Sequence, residues 1–155
     1  MGKFGAALAV IVLAGGAQAE CAPGTVELRA GNGSVMRFSV EIADSAAGRA
    51  QGLMNRPTMA KSAGMLFVYD APQHARFWMR NTLIPLDMIF ADAEGRVTHV
   101  HSNAVPMDDT GIDGGEGVLL VLEINGGLAQ RLGVEAGAVL RHPAVDQGKA
   151  AWACE

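Results

Sequence analysis

Val35-Met36-Arg37-Phe38-Ser39-Val40-Glu41-Ile42 alternates apolar and polar side chains without a break. Successive side chains of a strand point to opposite faces, so Met36, Phe38, Val40 and Ile42 share one face and Arg37, Ser39 and Glu41 the other. The stretch predicts a strand with one buried and one solvated face. Thr25 to Arg29 predicts a strand before it, and Asn32-Gly33 between them is a strong hairpin signal, because both residues tolerate positive φ. Downstream, Asp44 and Ser45 offer N-cap oxygens for a short helix to about Asn55, with Pro57 preventing its continuation.

Met65 to Tyr69 and Ala75 to Met79 predict two further strands, joined by a turn at Asp70-Ala71-Pro72-Gln73. Leu86 to Ala91 and Val97 to His101 form the arms of a hairpin, with Gly95 at the left-handed position. Ser102 to Gly117 reads as a polar loop. Val118 to Ile124 is nearly all aliphatic, which places it mid-sheet with both faces covered. A short helix over Gly126 to Leu132, closed by Gly133, and a last strand at Ala138 to Arg141 complete the pattern. Seven or eight short strands against two short helices predict a mainly β (α+β) single domain, a β-sandwich or an open barrel. The short connections disfavour a doubly wound sheet, whose crossovers need about a dozen residues or more.

Lys3, the uncharged run Phe4 to Leu13 and Ala17-Gln18-Ala19 have the three-part form of a cleavable signal peptide over residues 1–19. The run is too short and too rich in glycine to span a membrane, so no span is expected after cleavage. Export implies a periplasmic or secreted domain of residues 20–155. A lipid anchor on Cys21 is the alternative, although Glu20 stands where lipoproteins want a small residue. Without Lys3, 11 basic residues face 16 acidic ones, a net charge near −5 that excludes the basic stripe nucleic acid requires. A chain of about 136 residues buries enough surface to hold a core without a cofactor. The 20 glycines favour many tight turns. Cys21 and Cys154, the only cysteines, can join in an oxidising compartment or remain two thiols in the chain's tails.

The chemistry concentrates in Phe77-Trp78-Met79-Arg80-Asn81-Thr82-Leu83-Ile84-Pro85-Leu86-Asp87-Met88-Ile89-Phe90. Alternation sends Ala75, Phe77 and Met79 to one face and His74, Arg76, Trp78 and Arg80 to the other. Trp78 offers a stacking platform, Arg80 a forked donor for a carboxylate or phosphate, and Asn81 a donor and an acceptor. The plain alternative is a solvated face with Trp78 on arginine stems and Arg80 paired to Asp87. Arg49 and Arg56, two helical turns apart, can line one side of the helix as a basic rim, or cap its C-terminal end and pair with acids.

Together with this segment, Arg49-Ala50-Gln51-Gly52-Leu53-Met54-Asn55-Arg56, Gly64-Met65-Leu66-Phe67 and Val121-Leu122-Glu123-Ile124-Asn125-Gly126-Gly127 resemble the family called domain of unknown function 192. The motifs span about residues 35–142 in the family's order. The resemblance implies a compact β-rich bacterial or archaeal domain, often exported, with no established activity. The family often has Lys where this chain has Arg80, which implies that position 80 needs a cation more than a particular shape.

These readings favour a binding or accessory module in which Arg49, Arg56, Trp78, Arg80, Asn81 and Asp87 recognise a small anionic ligand or a partner's acidic group. A hydrolase built on Asp87 or Glu123 with His99 is one alternative. A metal-handling protein using His99 and His101, with His74 or Met107, is another, although two histidines fall short of the three or four ligands zinc takes. Asp108, Asp109, Asp113 and Glu116 fit no calcium loop and read as solvated.

Overall fold

A computed structural model of the chain describes residues 21–154. The predicted signal segment 1–19 and Glu20 lie outside the described residues. The elements run β1 (Thr25–Arg29), β2 (Val35–Ala43), α1 (Ala46–Gln51), β3 (Ala63–Phe77), β4 (Leu86–Ala91), β5 (Val97–Ala104), β6 (Ile112–Asn125), α2 (Leu128–Leu132) and β7 (Val139–Arg141). All seven strands belong to one sheet of order β5-β4-β6-β3-β2-β1-β7. Only β2 and β3 pair in parallel, across the connection that carries α1. The sheet curls into a half-barrel whose edges meet at one rim, where Arg96 bridges Val139 and Leu140 N–H donates to Gly95 O at 2.7 Å. Gly95 sits there at φ +80°, and a Cβ would come within 2.5 Å of the Leu140 carbonyl oxygen. Of the two predicted architectures, the open barrel holds, because no second sheet is needed to cover the first.

The strand pleat divides the apolar residues between two cores. Leu66, Ile89, Leu120, Leu122 and Leu140 face the concave side with Val26, Leu28 and Phe38. Met65, Phe67, Met88, Phe90 and Val121, one residue out of phase, face the convex side. A convex face so apolar needs a cover. Leu53 after α1, Met79 and Ile84 from the segment between β3 and β4, and Ala75 from the far end of β3 supply it. Phe77 packs edge-on against Phe67 at 5.1 Å and Phe90 at 5.7 Å. Each such pair adds about 0.5–1.5 kcal/mol to the burial itself.

Three predicted boundaries move. The turn at Asp70-Ala71-Pro72-Gln73 does not end a strand. β3 continues through it, with register shifts against β6 between Val68 and Gln73 and on either side of Ala75. Pro72 falls in the first shift, where no ladder hydrogen bond is asked of its missing N–H. The predicted loop Ser102 to Gly117 is mostly strand, since β5 runs to Ala104 and β6 begins at Ile112. Asp113 and Glu116 read as loop residues because they lie on the solvated face of that arm. Its Gly114 is demanded by packing, as a Cβ there would approach the Phe90 ring to 2.3 Å. Third, α1 stops at Gln51 rather than Asn55, with Gly52 at φ 48°, while Ser45 caps its start through Gly48 N–H at 3.1 Å as expected. In the β1–β2 hairpin, Gly33 alone takes positive φ.

Cys21 and Cys154 are joined in a disulfide across 133 residues, with Cα atoms 5.5 Å apart. The segment after β7 is also held by Trp152, whose ring lies under the guanidiniums of Arg29 and Arg141 at 4.5 and 4.3 Å. Arg141 and Arg37 both pair with Glu27 from the neighbouring strands. Burial opposes ionisation of Glu27, but the two guanidiniums win and lower its pKa.

Candidate functional site

The bend in β3 leaves a cleft of about 340 Å³ on the convex side, between α1, β3 and the segment leading to β4. Leu53, Phe67, Thr82 and Glu123 form its buried floor, Tyr69 and Phe77 its half-buried walls, and Arg76, Trp78 and Arg80 its exposed rim. Arg49 enters from α1. Its Nη1 donates to Asp44 O at 2.7 Å and Val68 O at 2.8 Å, and its guanidinium lies 5.3 Å from the Tyr69 ring. Arg49 therefore ties α1 to β3 and does not cap the helix, although its Nη2 lies 3.9 Å from an Asp70 carboxylate oxygen, the pairing with an acid that the sequence allowed.

Trp78 is 45% exposed, with the Arg80 guanidinium 3.9 Å over its ring. Arg80 makes a two-pronged ion pair with Asp109, both bonds 3.1 Å. The sequence expectation of an Arg80 to Asp87 pair is thus corrected. Asp87 is fully buried, and its carboxylate accepts from Asn103 N–H at 2.7 Å, Gly127 N–H at 2.8 Å and Ala129 N–H at 2.6 Å. It caps α2 from another strand, a service Gly127 lacks the side chain to perform. Asp87 stands outside the cleft.

Two further residues expected at the patch are elsewhere. Arg56 forms a two-pronged pair with Glu41 over a separate depression beside β2, so it builds no common rim with Arg49. Asn81 occupies the left-handed region at φ 53°, and its carbonyl accepts from Asn55 N–H at 2.8 Å. It shapes the turn behind the rim. The structure thus brings together Arg49, Trp78 and Arg80, and adds Arg76, Tyr69 and Glu123.

Glu123 is the unusual member. It is 4% exposed, accepts no hydrogen bond from the described residues, and burial pushes its pKa up to about 8. That shift favours the neutral acid near pH 7, able to donate one hydrogen bond and accept others. Tyr69 is also raised, first by burial, with Arg49 opposing. The sequence carries a trace of Glu123: it is the single charge in the aliphatic run of a central strand. Arg76 and Tyr69 are exposed to recognition only by the bend of β3, which alternation does not announce.

His99 and His101 lie across from Phe90 and Met88 on one face of the sheet, as their spacing predicts, with His99 stacked on the Phe90 ring at 5.7 Å. Asp87, its oxygens taken by three amides, is in no position to serve His99 as a hydrolytic partner. Among the described residues no group of three His, Cys, Asp or Glu side chains is placed to hold a metal ion. The acidic stretch is dispersed: Asp109 serves Arg80, and Asp113 and Glu116 each lie 2.7 Å from a nitrogen of His74.

Fold and cleft together define a half-barrel protein with a basic-rimmed, acid-floored recess on its convex face. The DUF192 family model, described as Uncharacterized ACR, matches residues 27–142, and the chain belongs to that family. Two crystal structures are similar. One, a candidate transcription regulator from Sinorhizobium meliloti 1021, is 40% identical, with a TM-score of 0.74 over 78% of this chain and 94% of the other. The second, a protein of unknown function from Novosphingobium aromaticivorans DSM 12444, is 43% identical, with a TM-score of 0.72 over 75% and 82%. No curated protein matches.

Proposed function

We propose that this protein is an exported binding or accessory module that recognises a small anionic molecule, or an acidic group on a partner, in the convex cleft. The observation that carries the reading is the convergence of Arg49, Arg76 and Arg80 with the exposed Trp78 around one recess. Arg76 makes no ion pair among the described residues, and the Arg80 pair with Asp109 is solvent-exposed and screened, so an incoming anion can exchange it. A disulfide fits an oxidising compartment, the periplasm or the exterior, reached by removal of residues 1–19 to leave a domain of residues 20–155. No helix among the described residues is long and apolar enough to cross a membrane. The regulator name of the Sinorhizobium relative does not carry over as nucleic-acid binding, because the chain's net charge is −4 and Arg37, Arg56, Arg80 and Arg141 are paired with acids.

Arg80→Ala and Trp78→Ala should each weaken binding of an anionic ligand captured by the native protein, while leaving the denaturation midpoint nearly unchanged, as expected at exposed sites. Native mass spectrometry on protein from its exporting cell, followed by thermal denaturation of both variants, decides the matter. A large loss of stability with unaltered binding would mark the pair as structural.

A further inference from the structure

We infer that the cleft takes a small organic acid with a flat apolar body, its carboxylate held by Arg76 and Arg80 at the rim and an acceptor at its far end bonded to the Glu123 carboxyl. The inference rests on the anion reading above and deepens it. A purely polar anion such as phosphate would satisfy the rim alone, leaving the half-buried rings of Tyr69 and Phe77 in contact with water and Glu123 without a partner. The floor asks for apolar surface and for one hydrogen-bond acceptor. A space of about 340 Å³ is at the small end of ligand pockets and suits a molecule of about ten to fifteen heavy atoms.

The sign of the charge at each end follows from the neighbours. Arg49 of α1, Arg76 and Tyr69 of β3, and Arg80 beyond β3 are the titratable groups that share the cleft with Glu123, while its cross-strand neighbours Met65 and Met88 are uncharged. Three guanidiniums disfavour a cationic ligand. A second negative charge beside Glu123 would be repelled if the residue were ionised, but burial keeps it protonated to about pH 8, so it donates to a ligand oxygen instead. Glu123 acts here as a specificity residue, reading the far end of the ligand.

The test uses 4-acetylbenzoate, whose ketone supplies the far acceptor and whose carboxylate stays charged throughout, with inorganic phosphate as the polar control. Isothermal titration on the oxidised full chain at pH 6.5 and 9.5 compares the native protein with Glu123→Gln. Binding of 4-acetylbenzoate to the native protein should weaken at least about tenfold at pH 9.5, and binding to Glu123→Gln, which keeps a donor but cannot ionise, should change by less than about threefold. Equal weakening in both proteins, or none in the native one, overturns the role given to Glu123. Phosphate binding without 4-acetylbenzoate binding overturns the organic-acid class and leaves the anion reading standing. Failure of both probes to bind overturns the two together.

Discussion

Replacing Glu123 by Gln should stabilise the protein, and by an amount that grows with pH. The carboxyl has a folded pKa of about 8 against an ordinary 4.5. Below pH 4.5 both folded and unfolded chains hold the proton, and the residue has no effect on the pH dependence. Between 4.5 and 8 the folded state holds a proton that the unfolded state has released, so stability falls as pH rises, by about 1.4 kcal/mol per pH unit. Above 8 both states are ionised and the cost is constant. Over the whole window it reaches about 5 kcal/mol, reduced to about 3–5 if water enters the cleft on ionisation. That is a large share of the stability of a domain this size. Glutamine has the same shape and no titration. Guanidinium denaturation of both proteins at pH 5, 6.5, 8 and 9 should therefore show a small difference at pH 5 that widens to several kcal/mol at pH 8. Carboxylates with lowered pKa, such as Glu27, Glu41 and Asp113, titrate below this window and cancel in the comparison. A difference that stays constant from pH 5 to 9 would refute the assignment of a neutral buried acid.

Asp87→Ala should cost about 3–5 kcal/mol in the same denaturation experiment, because one buried and two part-buried amides lose a charged acceptor at once; a loss under about 1 kcal/mol would show that α2 does not depend on it. Reducing the Cys21 to Cys154 disulfide should lower stability by up to about 5 kcal/mol in the loop-entropy model for so long a loop, measured as a shift of the guanidinium midpoint with dithiothreitol. An unmoved midpoint would refute that model here. His74, with a carboxylate on each ring nitrogen, should titrate above the usual 6.5, chiefly through its hydrogen bond with Asp113. Its stabilising contribution is full below pH 6.5 and lost as pH rises through the higher folded value, and Asp113→Asn should bring the proton NMR titration back toward 6.5. No change in that titration would exclude the clasp.

Much of this protein is legible in one dimension. The alternation over Val35–Ile42 and the aliphatic run over Val118–Ile124 locate two interior strands of the sheet, because burial on one face or two writes directly into the pattern of residues. Gly95 and Ser45 announce their turn and cap because a single residue's φ or hydroxyl does the local work. The segment Phe77 to Phe90 is visible as chemistry for the same reason, since its residue types are unusual where they stand. Which of those residues face a common space is a different matter. Arg56 and Asp87 find partners in Glu41 and in the amides of Asn103, Gly127 and Ala129, residues distant in sequence. The bulges of β3 swing Tyr69 and Arg76 toward Trp78, and curling of the sheet puts Glu123 beneath them. A strand's pattern records whether a side chain is buried, whereas a site depends on what it is buried against, and that is decided only when the sheet bends and its convex face is covered.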